Sequence, residues 1–207
     1  MTEPVAASPL AHREPLTAER VSVSETAFLG MLSLRGRPAT IGEQAASALG
    51  APLPSAVGET AVAGNITALW LGPDDWLLVT PPGNEAALGT KLSDALTGTH
   101  HQLTDVSDYY TAIDVTGAAA RDVMSKLMVI DLHPRALKPG MIVATVCAKA
   151  NVWLHVTGSA DRPVLRLIVR RSHADYLWCL IAESGREFGL PPQLPVGRVK
   201  LHLPHFE

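Results

Sequence analysis

"SVSETAFLGMLSLRGRPA", residues 22–39, can be laid over "DVSDYYTAIDVTGAAA", residues 105–120. Both stretches have Val-Ser followed by an acidic residue, then an apolar strand pattern, a glycine and a run of small residues that opens a helix. The serines of the two copies, Ser24 and Ser107, are 83 positions apart, and the glycines after the strands are 81 apart. The agreement of the two spacings predicts an internal duplication.

The first copy has the signals of a strand, a helix, a hairpin and a second helix. A strand is expected in residues 26–36 and a helix in 39–50, where apolar residues recur at helical spacing before a glycine. Residues 51–65 are rich in Pro and Gly and are expected to form a loop. Two apolar runs around a Gly-Pro-Asp-Asp turn predict a hairpin in 66–81, and an amphipathic pattern predicts a helix in 84–98.

The second copy repeats this plan. A strand is expected in residues 109–117, a helix in 118–129, a hairpin in 141–158, a strand in 163–172 and a helix in 173–189. Units of this kind predict an α+β fold of duplicated strand-helix-strand-strand-helix units, with antiparallel or mixed sheets and helices packed on one face.

Four segments follow along the chain. Residues 1–20 are expected to form an extended N-terminal arm, residues 21–104 the first repeat, residues 105–189 the second repeat, and residues 190–207 a C-terminal arm. Both arms carry prolines, which prevent a long helix, together with apolar residues that would be exposed. We expect them to lie across neighbouring subunits, with Leu10, Leu201, Leu203 and Phe206 as contacts; the alternative is an arm folded back on its own domain.

Composition excludes several classes of protein. The chain is 47% hydrophobic and 18% charged, with a formal net charge of −3, so no basic surface for a nucleic acid is expected. No apolar run reaches the roughly 18 residues of a membrane span, and the N-terminus lacks the apolar core of a signal peptide; a cytoplasmic location is the default. Cys147 and Cys179 lie in apolar stretches and are expected to be buried and unreactive.

Two pairs of polar residues have the composition of a reactive site. His100-His101 has no third ligand at short spacing, so isolated imidazoles are favoured over a metal site. Asp74-Asp75 falls at the expected hairpin turn, where aspartate satisfies backbone groups. The sequence therefore predicts no catalytic, cofactor-binding or metal-binding residue at either pair.

The segments 131–140 and 170–172 are the remaining candidates. In "DLHPRALKPG" Pro134 ends the preceding helix, and no nucleophile with its own base accompanies the histidine, so we expect a connector with His133 and Arg135 as packing or interface groups. Arg170-Arg171 ends a strand, with Ser172 as the expected N-cap of the next helix. These arginines bind a carboxylate or a partner, or are solvated surface charges.

Three stretches together resemble a known family. "LWLGPDDWLLV" (69–79), "TDVSDYYTAIDVTGAAARDVMSKLMVIDLHPRALKPG" (104–140) and "RLIVRRSHADYLWCLI" (166–181) are similar, in this order, to the gamma subunits of heterotetrameric sarcosine oxidases. The resemblance covers roughly residues 60–185 and implies a fold like the folate-binding domain of aminomethyltransferases. It gives no catalytic residue to carry over to this chain.

The resemblance also implies an activity and partners. Such an oxidase has alpha, beta, gamma and delta chains and demethylates sarcosine oxidatively to glycine and hydrogen peroxide, with tetrahydrofolate taking up the one-carbon unit. FAD, FMN, NAD, tetrahydrofolate and zinc would be carried by the other chains, and none by this one. The gamma chain is then a non-catalytic accessory subunit.

Two other functions stay open at this point. The fold similarity alone implies a free-standing tetrahydrofolate-binding one-carbon transferase, although the Lys-Gly-Cys-Tyr type of motif found in some folate-using relatives is missing from residues 136–150. A generic interaction module unrelated to sarcosine is the third reading.

Overall fold

The computed structural model describes residues 6–159 and 162–195. The described strands are β1 (Leu16–Thr17), β2 (Ser22–Thr26), β3 (Gly30–Gly36), β4 (Thr60–Ala63), β5 (Ile66–Gly72), β6 (Asp75–Thr80), β7 (His101–Asp105), β8 (Tyr110–Thr116), β9 (Ile142–Cys147), β10 (Ala150–Gly158) and β11 (Pro163–Arg170). The described helices are α1 (Pro38–Leu49), α2 (Glu85–Ala95), α3 (Ala120–Ser125), α4 (Arg171–Ser184) and a short 3-10 helix at Arg186–Phe188.

These strands form two sheets. Sheet A has the strand order β1-β2-β8-β11-β10-β9, and sheet B has the order β4-β5-β6-β3-β7. All strand pairings described within the two sheets are antiparallel. The prediction of an α+β fold with antiparallel sheets is thereby confirmed.

Three apolar clusters define four layers. One lies between the outer face of sheet A and α3 and α4, where Trp178 and Val123 pack against the strands. A second lies between the outer face of sheet B and α1 and α2. A third joins the inner faces of the two sheets, with Met31 and Leu77 of sheet B meeting Ile142 and Ile168 of sheet A. The order of layers is therefore helices, sheet B, sheet A and helices, with the helices of each sheet on one face.

Sheet B is built from one continuous stretch of the chain, residues 30–105, whereas sheet A combines β1 and β2 of the N-terminal region with β8 to β11. β2 directly precedes β3 in sequence but pairs with β8 in sheet A, whereas β7 directly precedes β8 but pairs with β3 in sheet B. Four strands of each sheet correspond in order, with β4, β5, β6 and β3 matching β9, β10, β11 and β8, whereas β1 has no counterpart among the described strands of sheet B. Sheet B therefore lies almost entirely within the predicted repeat 21–104, whereas sheet A takes β2 from that repeat and β1 from the expected N-terminal arm. The duplication itself stays a prediction.

Local sequence patterns correctly predicted α1 and the β5–β6 hairpin. α1 begins at Pro38 and ends before Gly50, which has φ of 86° and donates its backbone N–H to the Ala46 carbonyl. A left-handed glycine of this kind is a common helix stop, as the sequence predicted. The 66–81 hairpin is also confirmed, with Pro73 and Asp74 between β5 and β6.

Three expectations for individual elements are corrected. The loop 51–65 contains β4, which pairs with β5. The helix expected in 118–129 ends at Ser125, because the following apolar residues turn and Met128 forms a β-bridge with Cys147. Ser172 is not an N-cap: α4 starts at Arg171, the cap residue is Arg170, and it makes no side-chain capping bond.

The expected N-terminal arm is also corrected. Leu10 is 2% exposed and belongs to the apolar cluster around α4, so it is part of the chain's own core instead of an exposed contact. Arg13 explains why this segment folds back: its guanidinium donates to the Asp175 carboxylate at 2.5 and 2.8 Å, to the Gln193 side chain at 3.1 Å and to the Leu194 carbonyl at 2.8 Å. Leu201, Leu203 and Phe206 lie outside the described residues.

Gly117 tests the close contact between the end of β8 and the backbone of Arg20, which lies just before β2. It has φ of 103°, and a Cβ there would lie 2.4 Å from the Arg20 carbonyl oxygen. We expect Gly117→Ala to lower the free energy of unfolding by about 3 kcal/mol, because backbone strain and a clash between main-chain atoms add.

The matched control is Gly64→Ala. Gly64 also has a positive φ, of 59°, but a Cβ added there would have no atom of the described residues within 4 Å, apart from its chain neighbours. This substitution should cost only about 1 kcal/mol. Chemical denaturation of the isolated chain measures both, and equal losses for the two variants would contradict the proposed close approach.

Candidate functional sites

The Asp131–Arg135 segment is an exposed connector. Asp131 accepts a hydrogen bond from the His133 backbone N–H at 2.8 Å, and the His133 ring nitrogen Nδ1 accepts from the Arg135 backbone and Nε at 3.1 and 3.3 Å. Both side chains lie on the surface, and neither contacts a nucleophile. The segment has the turn chemistry of a connector, as predicted.

Two buried leucines hold this connector to the domain. Leu132 and Leu137 are 5% and 2% exposed, and the Arg121 guanidinium donates to both of their carbonyls. His133 and Arg135 are thus presented outward from a fixed backbone. Their proposed interface role stays a prediction.

The two cysteines are buried, as the sequence predicted. Burial raises the pKa of the Cys147 thiol to about 12 and also raises the pKa of Cys179. Because the thiolate is the reactive form, burial disfavours nucleophilic reactivity at both side chains.

The acidic and histidine pairs lie near one another at one end of sheet B. Asp74 is in the hairpin turn and lines a cavity of about 880 Å³ together with His100, His101 and Arg37. The neighbouring Asp75 lies 3.4 Å from the Arg35 guanidinium, and burial raises its pKa. His101 contacts the Thr99 carbonyl through Nδ1 at 2.8 Å. These contacts are the turn and strand-end interactions expected of an open surface cavity.

A polar network crosses the inner face of sheet A. The Arg166 guanidinium donates to both carboxylate oxygens of Asp114 at 2.8 and 2.7 Å, and the Thr26 hydroxyl donates to the same carboxylate at 2.7 Å. His155 of β10 lies opposite Arg166 of β11 and is 8% exposed. Burial, followed by the charge of Arg166, lowers the pKa of His155 to about 4, so the imidazole is neutral at physiological pH.

An aromatic cavity opens on the same face of sheet A. It has a volume of about 410 Å³ and is lined by Tyr110, Ala144, Val146, Trp153, Ile168 and Arg170, among others. The Tyr110 ring contacts Trp153 edge-to-face, with ring centroids 5.1 Å apart, and contacts Tyr109 in the same manner at 4.6 Å. Arg170 lies over the Tyr109 ring at 5.4 Å.

Sequence reasoning selected only Arg170 among these inner-face groups. One signal was available for the polar network: Asp114 interrupts the apolar strand "TAIDVTG" and His155 interrupts "VWLHV". A charge or imidazole at an otherwise apolar strand position implies a buried partner. The partner could not be identified without the register that places Arg166 opposite both residues.

The described part of the chain has neither a membrane-spanning helix nor a cluster of metal ligands. Across residues 6–159 and 162–195 no helix has the length and apolar character that a bilayer crossing needs. Within the same ranges no cluster of three or more His, Cys, Asp or Glu side chains has the arrangement to hold a metal ion.

This chain is similar to known proteins over most of its length. Residues 36–187 match the family described as "Sarcosine oxidase, gamma subunit family". A relative from Arthrobacter sp. named "Sarcosine oxidase subunit gamma" is 37% identical over 177 residues, covering 84% of this chain and 85% of the relative.

Solved structures extend the likeness to the fold. A chain of "Heterotetrameric Sarcosine Oxidase from Corynebacterium sp. U-96 in complex with pyrrole 2-carboxylate" matches with a TM-score of 0.81 at 31% identity, covering 91% of this chain and 99% of that chain. The glycine cleavage system aminomethyltransferase T from Bartonella henselae matches with a TM-score of 0.62 at 14% identity, covering 82% of this chain and 47% of that one. The second likeness shows the fold alone.

We expect His155 to make the stability of this chain depend on pH. A histidine whose pKa is lower in the folded state than in the unfolded state binds fewer protons when folded, so its contribution is present above pH 6.5 and lost as the pH falls toward 4. A shift of this size corresponds to roughly 3 kcal/mol.

We expect His155→Gln to flatten the stability curve between pH 6.5 and 4 relative to the unmodified chain. Denaturant unfolding at several pH values measures the difference, which separates His155 from the carboxylates that titrate in both proteins. Parallel curves for the two proteins would show that His155 is not the group responsible.

Proposed function

Because the chain belongs to the sarcosine oxidase gamma subunit family, we propose that it is the non-catalytic gamma subunit of a heterotetrameric sarcosine oxidase. The observation that carries this proposal is the match to a chain of a heterotetrameric sarcosine oxidase, which extends over 91% of this chain at a TM-score of 0.81. The likeness therefore includes both sheets and all four layers, instead of one shared motif.

The titratable groups inside the chain favour an accessory role. Cys147 is a neutral thiol, His155 is a neutral imidazole, and the Asp114 carboxylate is occupied by Arg166 and Thr26. Nucleophilic and general-base catalysis need a side chain within hydrogen-bond reach of both its activating partner and a substrate. These side chains are instead used to pack and to pair strands.

In this proposal the chemistry takes place on the partner chains. The alpha, beta and delta subunits carry FAD, FMN, NAD, tetrahydrofolate and zinc, and the flavin chemistry converts sarcosine to glycine and hydrogen peroxide. The gamma chain contributes surface and rigidity, and the assembly is cytoplasmic. Its contact residues include the exposed His133 and Arg135 and the C-terminal Leu201, Leu203 and Phe206.

A tetrahydrofolate-binding transferase is the second candidate because the fold is shared with an aminomethyltransferase. At 14% identity this likeness concerns the fold, and one fold serves many functions. Isothermal titration of the isolated chain with tetrahydrofolate distinguishes the two. Saturable heat with a Kd below about 100 µM would favour the transferase.

We expect the chain to assemble stoichiometrically when it is co-expressed with the three other subunits. Size-exclusion chromatography with light scattering should give one complex with one copy of each chain, and sarcosine-dependent hydrogen peroxide formation should co-elute with it. Cys179→Ala is a suitable control, because this thiol has no role in the chemistry and the substitution should leave kcat unchanged. A chain that elutes alone would contradict the proposal.

Removal of residues 196–207 should weaken assembly without unfolding the chain. Leu190 is the last buried apolar residue in the described part, and the Arg13 contacts end at Leu194. We expect the Tm of the isolated chain to change by no more than about 2 °C and the affinity for the other subunits to fall at least tenfold.

A full-length variant with Leu201, Leu203 and Phe206 each changed to Ser provides a control of unchanged length. It should lose affinity to a similar extent if apolar burial is responsible. A Tm loss of more than about 5 °C on truncation would instead show that the segment belongs to the chain's own core.

A further inference from the structure

The aromatic cavity is a preformed recess on one face of sheet A. Its register is fixed by strand pairing: Trp153 lies opposite Ile168 on one side and Ala144 on the other, and Arg170 lies opposite Tyr110. Because side chains alternate across a strand, these residues all point to the inner face. Side chains held on four neighbouring strands are presented with little freedom left to lose on binding.

Sheet B covers only part of this face. Ile168 is 1% exposed and belongs to the core between the sheets, whereas Tyr110 and Trp153 are half-buried at its margin. Beyond them Val146 is 41% exposed, and Ala144 is also exposed. The inter-sheet core therefore ends in an apolar recess that residues 6–159 and 162–195 leave open.

A cation without a carboxylate partner stands beside this recess. Arg170 stacks on Tyr109, and among the described residues it forms no ion pair. Arg166, four residues earlier on the same strand, is paired with Asp114. Tyrosine, tryptophan and arginine are the residues most often found at the energetic centre of protein interfaces. A carboxylate next to an apolar side chain would complement this combination in both charge and polarity.

The edge of β9 beside the recess is also open. β9 is the last strand of sheet A, so its outer edge has no described strand beside it. Only the two ends of this edge make backbone hydrogen bonds to described residues: the Ile142 N–H donates to the Gly58 carbonyl at 3.1 Å, and the Ala148 N–H donates to the Leu127 carbonyl at 2.7 Å. Backbone alternation directs the polar groups of Ala144 and Val146 to the same edge. No described strand pairs with them there.

We propose that this cavity and the adjoining edge of β9 dock an extended segment of another subunit, with an apolar side chain against Trp153 and Tyr110 and a carboxylate beside Arg170. The proposal rests on the assembly proposed above. Addition of a short extended segment to a free strand edge, with a side chain in a neighbouring pocket, is a common mode of recognition.

A small ligand is a poorer match to this recess. Pockets for small molecules bury most of the ligand surface. Here Ala144, Val146, Asn151 and Arg170 are exposed, so one side of any occupant would remain in water unless a larger partner covered it. A polypeptide that continues beyond the recess supplies that cover.

Two substitutions test the docking in the four-chain complex. Val146→Asp puts a charge at the apolar margin, and Arg170→Glu reverses the charge expected to meet a carboxylate. We expect each to weaken binding of the chain to the other three subunits at least tenfold, measured by interferometry with the chain immobilised. Arg170→Lys should retain more of the affinity than Arg170→Glu, because it keeps the charge.

Arg37→Glu is the matched control, since it makes the same charge change at an exposed arginine beside α1, on the side of sheet B. Arg37→Glu should bind the other subunits as tightly as the unmodified chain does. The Tm of each isolated variant should stay within about 3 °C of the Tm of the unmodified chain. Equal losses for Arg37→Glu and Arg170→Glu would overturn the proposal, as would full affinity for Val146→Asp and Arg170→Glu.

A spectroscopic readout separates docking from a change in stability. The chain has four tryptophans, so incorporation of 5-fluorotryptophan gives four resonances, of which Trp153→Phe identifies one. On assembly the Trp153 resonance should shift, whereas the resonances of the buried Trp76 and Trp178 should not. Assembly without a Trp153 shift would sink the docking site and leave the proposed function intact, while failure of the unmodified chain to assemble would overturn both.

Discussion

Sheet A of this protein is completed by β1 and β2 from the N-terminal region, and the chain crossings that this requires constrain the rest of the structure. The β2–β3 and β7–β8 connections cross between the sheets in opposite directions. The crossings are tied together, because the Val106 N–H donates to the Met31 carbonyl at 2.8 Å and the Ser107 hydroxyl accepts from the Met31 N–H at 2.9 Å. Sheet A is not complete without β2, whose chain continues directly into sheet B, so these crossings couple the two sheets.

The crossings also explain which parts of the fold could be predicted from sequence. Helix α1 and the β5–β6 hairpin follow from local patterns, since a glycine stop and a turn sequence specify them within a few residues. Partner strands are not encoded locally. The aligned serines show the limit: Ser24 lies inside β2, whereas Ser107 lies in the turn after β7. The spacing suggested a repeat, but the motif on which it rested occupies different structural positions.

The candidate surfaces show the same division between local and distant information. Arg170 and Arg171 were recognised as adjacent cations, yet they act separately: Arg170 stacks on Tyr109, and Arg171 donates to the Ala7 carbonyl at 2.7 Å. The recess beside Arg170 is built from β8, β9, β10 and β11, and its Tyr110 and Trp153 are 43 positions apart in the sequence. No spacing rule brings such residues together before the strand order is known. The fold-level resemblance was predictable because it depends on three quoted stretches in order, whereas the contact surface depends on register.

Two kinds of contact are available to a subunit whose role is assembly, and they differ in what binding costs. A segment that becomes ordered on binding loses roughly 1–2 kcal/mol of backbone entropy per residue, so each of its apolar anchors must bury enough surface to offset several residues. The side chains of the aromatic cavity are already held by strand pairing and by edge-to-face contacts between rings. Burial of apolar surface contributes about 25 cal/mol per Å², and in this cavity little of that gain is offset by ordering of this chain's own side chains. In the docking proposed above, this preformed sheet face would therefore set the orientation of the subunit.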